Sequence, residues 1–353
     1  MTKIIPLPFG EESLGDTNAQ VADAINSYNE EAKRNFETFK KAIASLPEKV
    51  QTVVLNETLL SEAPMLTFVN SGIKATISDA RRILGIDFIG PEEVKHAFGK
   101  NAQLLAIETL PDTYELPFTI GTLERMHKIP EGCVLIYQSK NADGTGIDIA
   151  TFAKLQKELQ VKGEGKLLYR DQFKEDGTLN KSSWLADGRY HEHHLQQTIT
   201  HGWRLVTKKI LDGTINLTLI DKIALVCEKI ETLYADTVLP QRFAHAITEF
   251  RTKEAQLRVI QPTPAFLTEI SKISFWKDCM EKGIETLYRL VVYNQITGEK
   301  ILVNMYTRNA VTEPVNGRIG YAGDGGDVGP RMGEYMAGGQ WGPEGLLLSF
   351  HSE

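Results

Sequence analysis

The sequence predicts an α+β protein, with a helix-rich N-terminal half, a small mixed middle region and a C-terminal antiparallel β unit that carries glycine-rich loops. Three observations predict this fold class. An apolar seam at helical spacing runs through residues 17–45, strand-like apolar runs follow residue 130, and the C-terminal region combines a hairpin pattern with many glycines. The expected regions are therefore 1–110, 111–260 and 261–353.

Length and composition fit a folded chain with a sizeable core. The chain has 353 residues, of which 42% are hydrophobic and 24% are charged, and a formal net charge of −7. A mildly acidic protein repels phosphate backbones, so we expect no nucleic-acid partner. We find neither a secretory signal nor an apolar run of the ~18 residues that a membrane span needs. Three distant cysteines without a CxxC motif predict buried free thiols and a cytoplasmic location.

The N-terminal region is expected to contain one long amphipathic helix and two short capped helices. Apolar side chains recur every three or four positions through residues 17–45, and Pro47 ends the pattern. The seam can pack on the rest of the chain or on a second copy, so it is our candidate surface for a homo-oligomer. The short helices lie within residues 76–85 and 90–99, and each of them ends at a glycine.

The middle region mixes strands and helices along the chain. We expect a linker or a packed loop from Pro111 to Pro130, and the apolar run of residues 133–137 predicts a buried strand. The alternating segment of residues 203–207 predicts a half-buried strand. The predicted helices of this region cover residues 149–159, an amphipathic stretch through 219–233, and a further stretch that ends near Ala255.

The C-terminal region is expected to be a β unit preceded by a helix. The helix covers residues 264–282, and a hairpin follows with strands at 287–293 and 300–307. Eleven glycines then occur among the 29 residues of 317–345. Because the chain next forms an apolar run at 346–350, we expect a final strand there, and before it a looped excursion within a folded β unit.

Three segments carry a resemblance to a known group of proteins: residues 79–93, residues 202–209, and the stretch from Leu287 through the glycine-rich C-terminus. Together they resemble an uncharacterised protein family of candidate-phyla bacteria, predicted from metagenomic genomes. The resemblance covers about half of the chain and brings no catalytic motif. It implies that the C-terminal unit is a lectin-like or display-like β domain with variable loops, and it favours binding over catalysis.

A histidine cluster is the most conspicuous candidate for chemistry. Asp187, His191, His193 and His194 lie close together in sequence, and His201 follows them. Imidazole and carboxylate groups are common zinc ligands, so this segment is our candidate site for a divalent metal. The spacing differs from HExxH, in which two histidines one helical turn apart bind the same ion. A solvated or partner-facing cluster and a general acid–base role are the other interpretations.

The glycine-rich C-terminal stretch carries two further sets of candidates. Asp324 and Asp327, spaced by glycines, can form a calcium-binding loop, and a tight turn accounts for the same residues. Tyr321, Tyr335 and Trp341 lie among the glycines and resemble the composition of a binding surface, in which rigid aromatic rings supply contact area. The other interpretation is that these aromatic side chains fill the core of the β unit.

Taken together, these features favour a non-enzymatic partner-binding or assembly protein. We expect a protein or a small ligand to bind the C-terminal Gly/aromatic loops, and residues 17–45 to support an oligomer. No cofactor is expected, apart from the divalent metal that the histidine cluster could hold. One alternative is a metal-dependent hydrolase that uses residues 191–194 together with Glu192 or Asp187. Another is a structural component of a phage or mobile element, in which the long helix is the assembly surface.

Overall fold

The computed structural model describes residues 72–156, 159, 197–261, 263–303, 305–309, 318–323, 330–336 and 344–352. The chain divides into two compact units, Met1–Asn70 and Ser71–Glu353, and all described residues belong to the second unit. The predicted helix of residues 17–45, with its candidate oligomer surface, therefore lies outside the described residues.

The described chain alternates short strands with helices, which confirms the predicted α+β class. Its strands are β1 (Lys74–Thr76), β2 (Phe88–Ile89), β3 (Leu105–Ala106), β4 (Glu115–Thr119), β5 (Cys133–Gln138), β6 (Lys140–Asn141), β7 (Gly202–Thr207), β8 (Tyr306–Asn309), β9 (Arg318–Gly323), β10 (Arg331–Met336), β11 (Glu344–Gly345) and β12 (Ser349–Phe350). Its helices are α1 (Ile77–Leu84), α2 (Pro91–Phe98), α3 (Ile120–Lys128), α4 (Ile149–Gln156), α5 (Leu219–Leu233), α6 (Gln241–Ile260), α7 (Pro264–Ile270), α8 (Ser274–Asp278) and α9 (Gly283–Thr297).

A four-stranded sheet in the order β12-β7-β5-β2 runs through the described unit. β5 pairs antiparallel with β7, β2 joins parallel to β5, and β12 joins antiparallel to β7. All side chains of β5 are buried, and so are those of β7 after Gly202. Both predicted strands are thus confirmed, but β7 is buried rather than half-buried because Glu285 of α9 packs on the face that carries Arg204.

The two short helices predicted near residues 76–85 and 90–99 are confirmed with their caps. Thr76 forms a capping box with Asp79 at the start of α1, and Pro91 occupies the first position of α2. The predicted helices α4, α5 and α6 are confirmed as well, although α6 continues to Ile260.

The segment from Pro111 to Pro130 is not the linker or loop that its prolines predict. It contains β4, which pairs antiparallel with β1, and the helix α3. Leu116 and Phe118 are buried at alternate positions of β4. Pro117 lies between them, and the missing N–H is tolerated because a two-stranded sheet leaves an edge unpaired.

The predicted hairpin with strands at 287–293 and 300–307 is wrong, because its first strand lies inside α9. Every residue of this helix up to Gln295 is buried, so no solvent-facing side imposes a polar stripe on the sequence. Gly298 ends the helix in the left-handed conformation, with a φ of 76°. Of the predicted return strand, only the last two residues belong to a strand, β8.

The single helix predicted for residues 264–282 is also wrong. The structure has two short helices here, α7 and α8. The Ser274 N–H at the start of α8 donates to Glu249 Oε2 of α6 at 2.7 Å. A side chain from another helix thus accepts a hydrogen bond from a backbone N–H at the break between α7 and α8. The local sequence does not indicate that contact, so the break could not be predicted from it.

The C-terminal β unit is a second four-stranded sheet, in the order β10-β9-β8-β11. Strands β8, β9 and β10 pair antiparallel, as predicted for this unit, but β11 runs parallel to β8, so the sheet is mixed. The looped excursion predicted for residues 317–345 is wrong in part, because β9, β10 and β11 all lie within it. Of the final strand predicted at 346–350, only Ser349 and Phe350 form a strand, β12, and it pairs with β7 of the other sheet rather than within the C-terminal unit. The lectin-like character implied by the resemblance stays a prediction.

One apolar core runs through the described unit and includes the three cysteines, Cys133, Cys227 and Cys279. All three are buried free thiols, as their spacing predicts, and burial raises the pKa of Cys133 and of Cys227 to about 12. The sheet β12-β7-β5-β2 takes strands from all three of the predicted regions. Of the helices in the described ranges, none has the length and apolar character needed to cross a membrane.

Candidate functional site

Most side chains of the predicted sites lie outside the described residues, namely Asp187, His191, His193, His194, Asp324, Asp327 and Trp341. The metal and calcium interpretations of these residues therefore stay predictions. Within the part of the chain that the structure describes, no group of three or more His, Cys, Asp or Glu side chains is placed to hold a metal ion.

Two of the predicted partner-binding aromatics belong to the C-terminal sheet. Tyr321 of β9 is half-buried, and its ring meets the Tyr306 ring edge-to-face with centroids 5.2 Å apart. The backbone of Tyr335 pairs with Ile319 between β10 and β9. Tyr321 thus contributes to packing within the sheet, and a joint partner surface of these aromatics with Trp341 stays a prediction.

A cleft of about 480 Å³, called the polar cleft below, lies among β1, β4, β7, α6 and the segment after β12. It is lined by Lys74 and residues 114–117, and by residues 200–203 together with Arg242 and His351. The polar cleft therefore brings together side chains from distant parts of the sequence, and among them is His201, which follows the histidine cluster.

His201 is held in the polar cleft by the phenol of Tyr137. The Tyr137 hydroxyl lies 3.0 Å from His201 Nε2, and the two rings meet edge-to-face at 5.6 Å. Burial raises the pKa of Tyr137 to about 12, so the phenol keeps its proton at neutral pH. Burial, and then the charge of Lys140, lower the pKa of His201. The His201 ring is therefore mostly neutral at pH 7.

A buried charge network supports the lining segment of residues 200–203. Arg204 of β7 is 1% exposed, and its guanidinium donates to Glu285 Oε2 at 2.6 Å and to Ser349 Oγ at 2.9 Å. Glu285, in the first turn of α9, also accepts a hydrogen bond from the Thr200 N–H at 3.0 Å. The network thus ties the polar cleft to α9 and to β12.

His351 follows β12 and joins this network. Its Nε2 contacts the Arg204 guanidinium, and its ring also hydrogen-bonds to the Trp203 backbone carbonyl. Burial, and then the adjacent Arg204 charge, lower the pKa of His351 to about 4, so the ring is neutral at pH 7. Burial raises the pKa of Glu285, but the charges of Arg204 and Lys282 outweigh it and hold that pKa below its usual range.

Arg242 reaches the polar cleft from the first turn of α6. Its guanidinium donates to Asp278 Oδ1 at 2.6 Å and to the Ser352 hydroxyl. The next residue of the helix, Phe243, packs on Phe350 of β12 with ring centroids 4.3 Å apart. The start of α6 and the strand β12 are thus held together beside the polar cleft.

Sequence reasoning missed Arg204, Arg242 and His351. A local signal was present for Arg204, because a single cation within an apolar strand must find a partner if the strand is buried. His351 gives no such signal, since it meets Arg204 across 147 residues of sequence. Arg242 is a charged residue at the start of a predicted helix, and nothing in the neighbouring sequence distinguishes it from other surface arginines.

Comparisons with known proteins leave the polar cleft without a precedent. No protein-family model, no curated protein and no solved structure matches the chain. What the polar cleft can do therefore follows from the side chains that line it.

Proposed function

We propose that this chain is a non-enzymatic binding protein and that the polar cleft holds a small ligand. The observation that carries the proposal is the cleft itself, whose volume of about 480 Å³ lies within the ~300–1,000 Å³ of small-molecule sites. Such sites combine apolar surface with a few placed polar groups. Here Trp203 and Tyr114 supply aromatic surface, while Thr200 and His201 supply hydrogen-bonding groups.

The polar groups of the cleft are held in place by the protein itself, which supports ligand binding. The Thr200 hydroxyl accepts a hydrogen bond from Lys282 Nζ at 3.1 Å, and its backbone N–H is bound by Glu285. His201 is fixed by Tyr137 in the same way. A ligand that enters a site of fixed side chains causes less loss of conformational entropy, so more of the contact energy appears as affinity.

The same hydrogen bonds favour binding over catalysis. A general base needs an imidazole nitrogen that can take a proton from a substrate. Nε2 of His201 is engaged by Tyr137, and Nε2 of His351 is engaged by Arg204. The three cysteines are no better as nucleophiles, because burial raises each thiol pKa and keeps the thiol protonated.

A ligand screen by NMR on the full chain tests the proposal. The matched variants are His201→Ala, which alters the cleft, and His245→Ala, which removes an exposed histidine from α6. We expect a compound whose Kd rises at least about tenfold, or roughly 1.4 kcal/mol, in the first variant and stays constant in the second. A broad screen in which no compound perturbs the cleft residues, or an equal Kd in both variants, would contradict the proposal.

We propose the Gly/aromatic loops of residues 317–345 as a second, protein-binding surface. Its support is the composition of the stretch, in which three aromatic residues lie among eleven glycines. The double variant Tyr335→Ala/Trp341→Ala should lose a partner that the unaltered chain binds, whereas Tyr321→Phe should keep it because Tyr321 packs on Tyr306. Equal binding by all three proteins would count against this surface.

A metal-dependent hydrolase is the second candidate function. The observation that favours it is the position of His201, which follows the histidine cluster in sequence and lines the polar cleft. Plasma mass spectrometry on protein purified without chelator decides between the two candidates. Stoichiometric zinc, manganese or iron that is lost in His191→Ala/His194→Ala would favour the hydrolase, and metal-free protein that takes up none on titration would remove it.

We also propose residues 17–45 as the surface of an oligomer, which a structural component of a phage or mobile element would need. The apolar seam of this stretch supports the proposal. Analytical ultracentrifugation of the full chain is the test, with Phe36→Glu as the variant that interrupts the seam. A monomer at high concentration, before any substitution is made, would contradict it.

A further inference from the structure

We propose that the polar cleft contains a proton switch, in which a proton taken up by His351 at Nε2 frees the residues after β12 from β7 and opens the cleft towards Arg204. The proposal goes beyond the proposed binding function, because it concerns a conformational change of the cleft itself. It follows from the contacts that hold the His351 ring and from the way in which the chain is attached after Phe350.

The contact with Arg204 fixes the protonation state of the His351 ring. Nε2 of His351 faces the Arg204 guanidinium, and a guanidinium has N–H donors but no acceptor. Nε2 must therefore present its lone pair, which leaves Nδ1 to carry the proton and to donate it to the Trp203 backbone carbonyl. The observed arrangement thus exists only while the ring is neutral.

A proton at Nε2 of His351 would place an N–H against the guanidinium of Arg204 and a second positive charge beside the first. The adjacent carboxylate of Glu285 is already engaged on both oxygens. Its Oε2 accepts from Arg204 at 2.6 Å and from the Lys282 N–H at 2.9 Å. Its Oε1 accepts from the Thr200 N–H at 3.0 Å. The new N–H therefore has no free acceptor among these contacts, so the charged ring has to leave its place.

The charges around the His351 ring act in the same direction. Among the described residues, the charged groups that act on the ring are Arg204 of β7, Arg242 of α6 and Glu285 of α9, so two cations oppose one carboxylate. Burial, and then the charge of Arg204, hold the pKa of His351 at about 4, below the ordinary 6.5. Further charged or titratable groups lie beside these partners or line the cleft, namely Asp278, Lys282, Lys74, Glu115 and His201.

The residues after β12 are attached in a way that lets them move by themselves. The ladder with β7 ends at Phe350, whose side chain is fully buried. In the described part of the chain, no backbone hydrogen bond joins His351 or Ser352 to another element, and side-chain contacts with Arg204 and Arg242 hold them. Loss of the Arg204 contact therefore releases this segment while β12 stays paired. Because His351 lines the polar cleft, its departure enlarges the cleft.

Solution NMR of the full chain tests the switch. The ring resonances of His351, followed from neutral to acidic pH, give its pKa, and a neutral gadolinium chelate reports which nuclei meet the solvent above and below that pKa. His351→Gln is the variant that does not titrate, since an amide oxygen can accept from Arg204 and an amide N–H can donate to the Trp203 carbonyl. His96→Gln, which removes an exposed histidine from α2, is the matched control.

We expect the His351 ring and the Trp203 backbone N–H to become accessible to the chelate as the ring takes up its proton, while the Val134 N–H of β5 stays protected. A released ring has the ordinary pKa of 6.5 and a held ring one of about 4, so protonation raises the ratio of released to held ring by up to about 300-fold. Accessibility in His351→Gln should not change with pH, and in His96→Gln it should change as in the unaltered protein.

Three results would overturn the switch, and the titration of the unaltered protein decides the first two even where His351→Gln fails to fold. Equal accessibility above and below the His351 pKa would mean that the ring is protonated in place. Exposure of Val134 at the same pH would indicate global unfolding instead of local release. A change that persists in His351→Gln but is absent from His201→Gln would assign the titration to the other histidine of the cleft. If the switch operates while the ligand screen finds no compound, the binding function is wrong and the switch stands.

Discussion

Arg204 is a fully buried cation in the middle of an apolar strand. The fold tolerates this charge only because a few residues compensate it. Glu285 neutralises its charge, Ser349 accepts a second hydrogen bond, and the neutral ring of His351 accepts from it as well. Burying a charge costs several kcal/mol unless such partners are in place. The protonation state of His351 is thus tied to a neighbouring cation, and this gives stability a dependence on pH.

We predict that acid destabilises the protein through His351. Its pKa is about 4 in the folded protein and 6.5 as the ordinary value, so the unfolded chain takes up a proton first as the pH falls. The contribution is complete above pH 6.5 and is lost towards pH 4, which amounts to about 2 kcal/mol between pH 7 and pH 5. Chemical denaturation at both pH values measures it. His351→Gln should remove this part of the slope and exposed His96→Gln should keep it; an unchanged slope in His351→Gln would refute the assignment.

The buried pair itself yields a second prediction. Glu285→Gln leaves the Arg204 charge buried without a counter-charge, so we expect a loss of about 3–5 kcal/mol in the free energy of unfolding. The double variant Arg204→Met/Glu285→Leu should lose less, because no charge is then buried. Glu228→Gln, whose carboxylate is 60% exposed beside Arg251, should cost under about 1 kcal/mol and serves as the control. A double variant less stable than Glu285→Gln would contradict this account.

At the scale of elements, the helices and strands that are specified by neighbouring residues could be predicted from the sequence. The helix α9, which is buried on all sides, could not. The helices α1 and α2 were predictable because Thr76, Asp79 and Pro91 are local signals. β5 was predictable because a short apolar run bounded by polar residues fits a buried strand. α9 was mistaken for a strand because its residues are buried on all sides, so the spacing that distinguishes a helix is absent.

The candidate site was less predictable than the fold. His201 could be singled out because histidines cluster before it in sequence, yet its partner Tyr137 lies 64 residues away. Arg242 and His351 reach the polar cleft only because α6 and β12 pack together. Convergence of this kind depends on tertiary packing, and spacing along one sequence carries no record of it.

The short strand β11 packs closely on the loop of residues 210–214, and this close packing can be tested by substitution. A Cβ at Gly345 would lie 2.0 Å from Ile210 Cγ2 and 2.6 Å from Thr214 Oγ1. We therefore expect Gly345→Ala to lower the free energy of unfolding by roughly 1–3 kcal/mol through overpacking. Gly72→Ala is the control, since no described atom lies within 4 Å of the added carbon there. Thermal denaturation measures both, and equal Tm values would contradict the close packing.

At the scale of the whole described unit, one sheet links segments that are far apart in sequence. β2 at residues 88–89 and β12 at residues 349–350 are its two edges, and β5 and β7 lie between them. Strands of one sheet share one core, so a substitution that destabilises one edge strand should also lower the stability of the other edge strand.

Phe350→Ala tests this cooperation. Phe350 is fully buried against Phe243, so its truncation should cost about 3–5 kcal/mol. Hydrogen exchange should then show lower protection in β2 as well as in β7, whereas Val238→Ala, at a side chain that is 70% exposed, should leave both unchanged. Undisturbed protection of β2 in Phe350→Ala would show that the sheet edges open independently.

The distance in sequence between β7 and β12 has a consequence for how the nascent chain folds during translation. Ser349 is synthesised 145 residues after Arg204. At about 5–20 residues per second, translation leaves the nascent chain without that partner for roughly 7–30 s. During this interval β7 has an unpaired edge and Arg204 lacks Ser349 and His351, and until 81 residues have followed it Arg204 lacks Glu285 as well. Surfaces of this kind are bound by chaperones and can lead nascent chains to aggregate. The sheet β12-β7-β5-β2 is therefore completed only after residue 350 has left the ribosome.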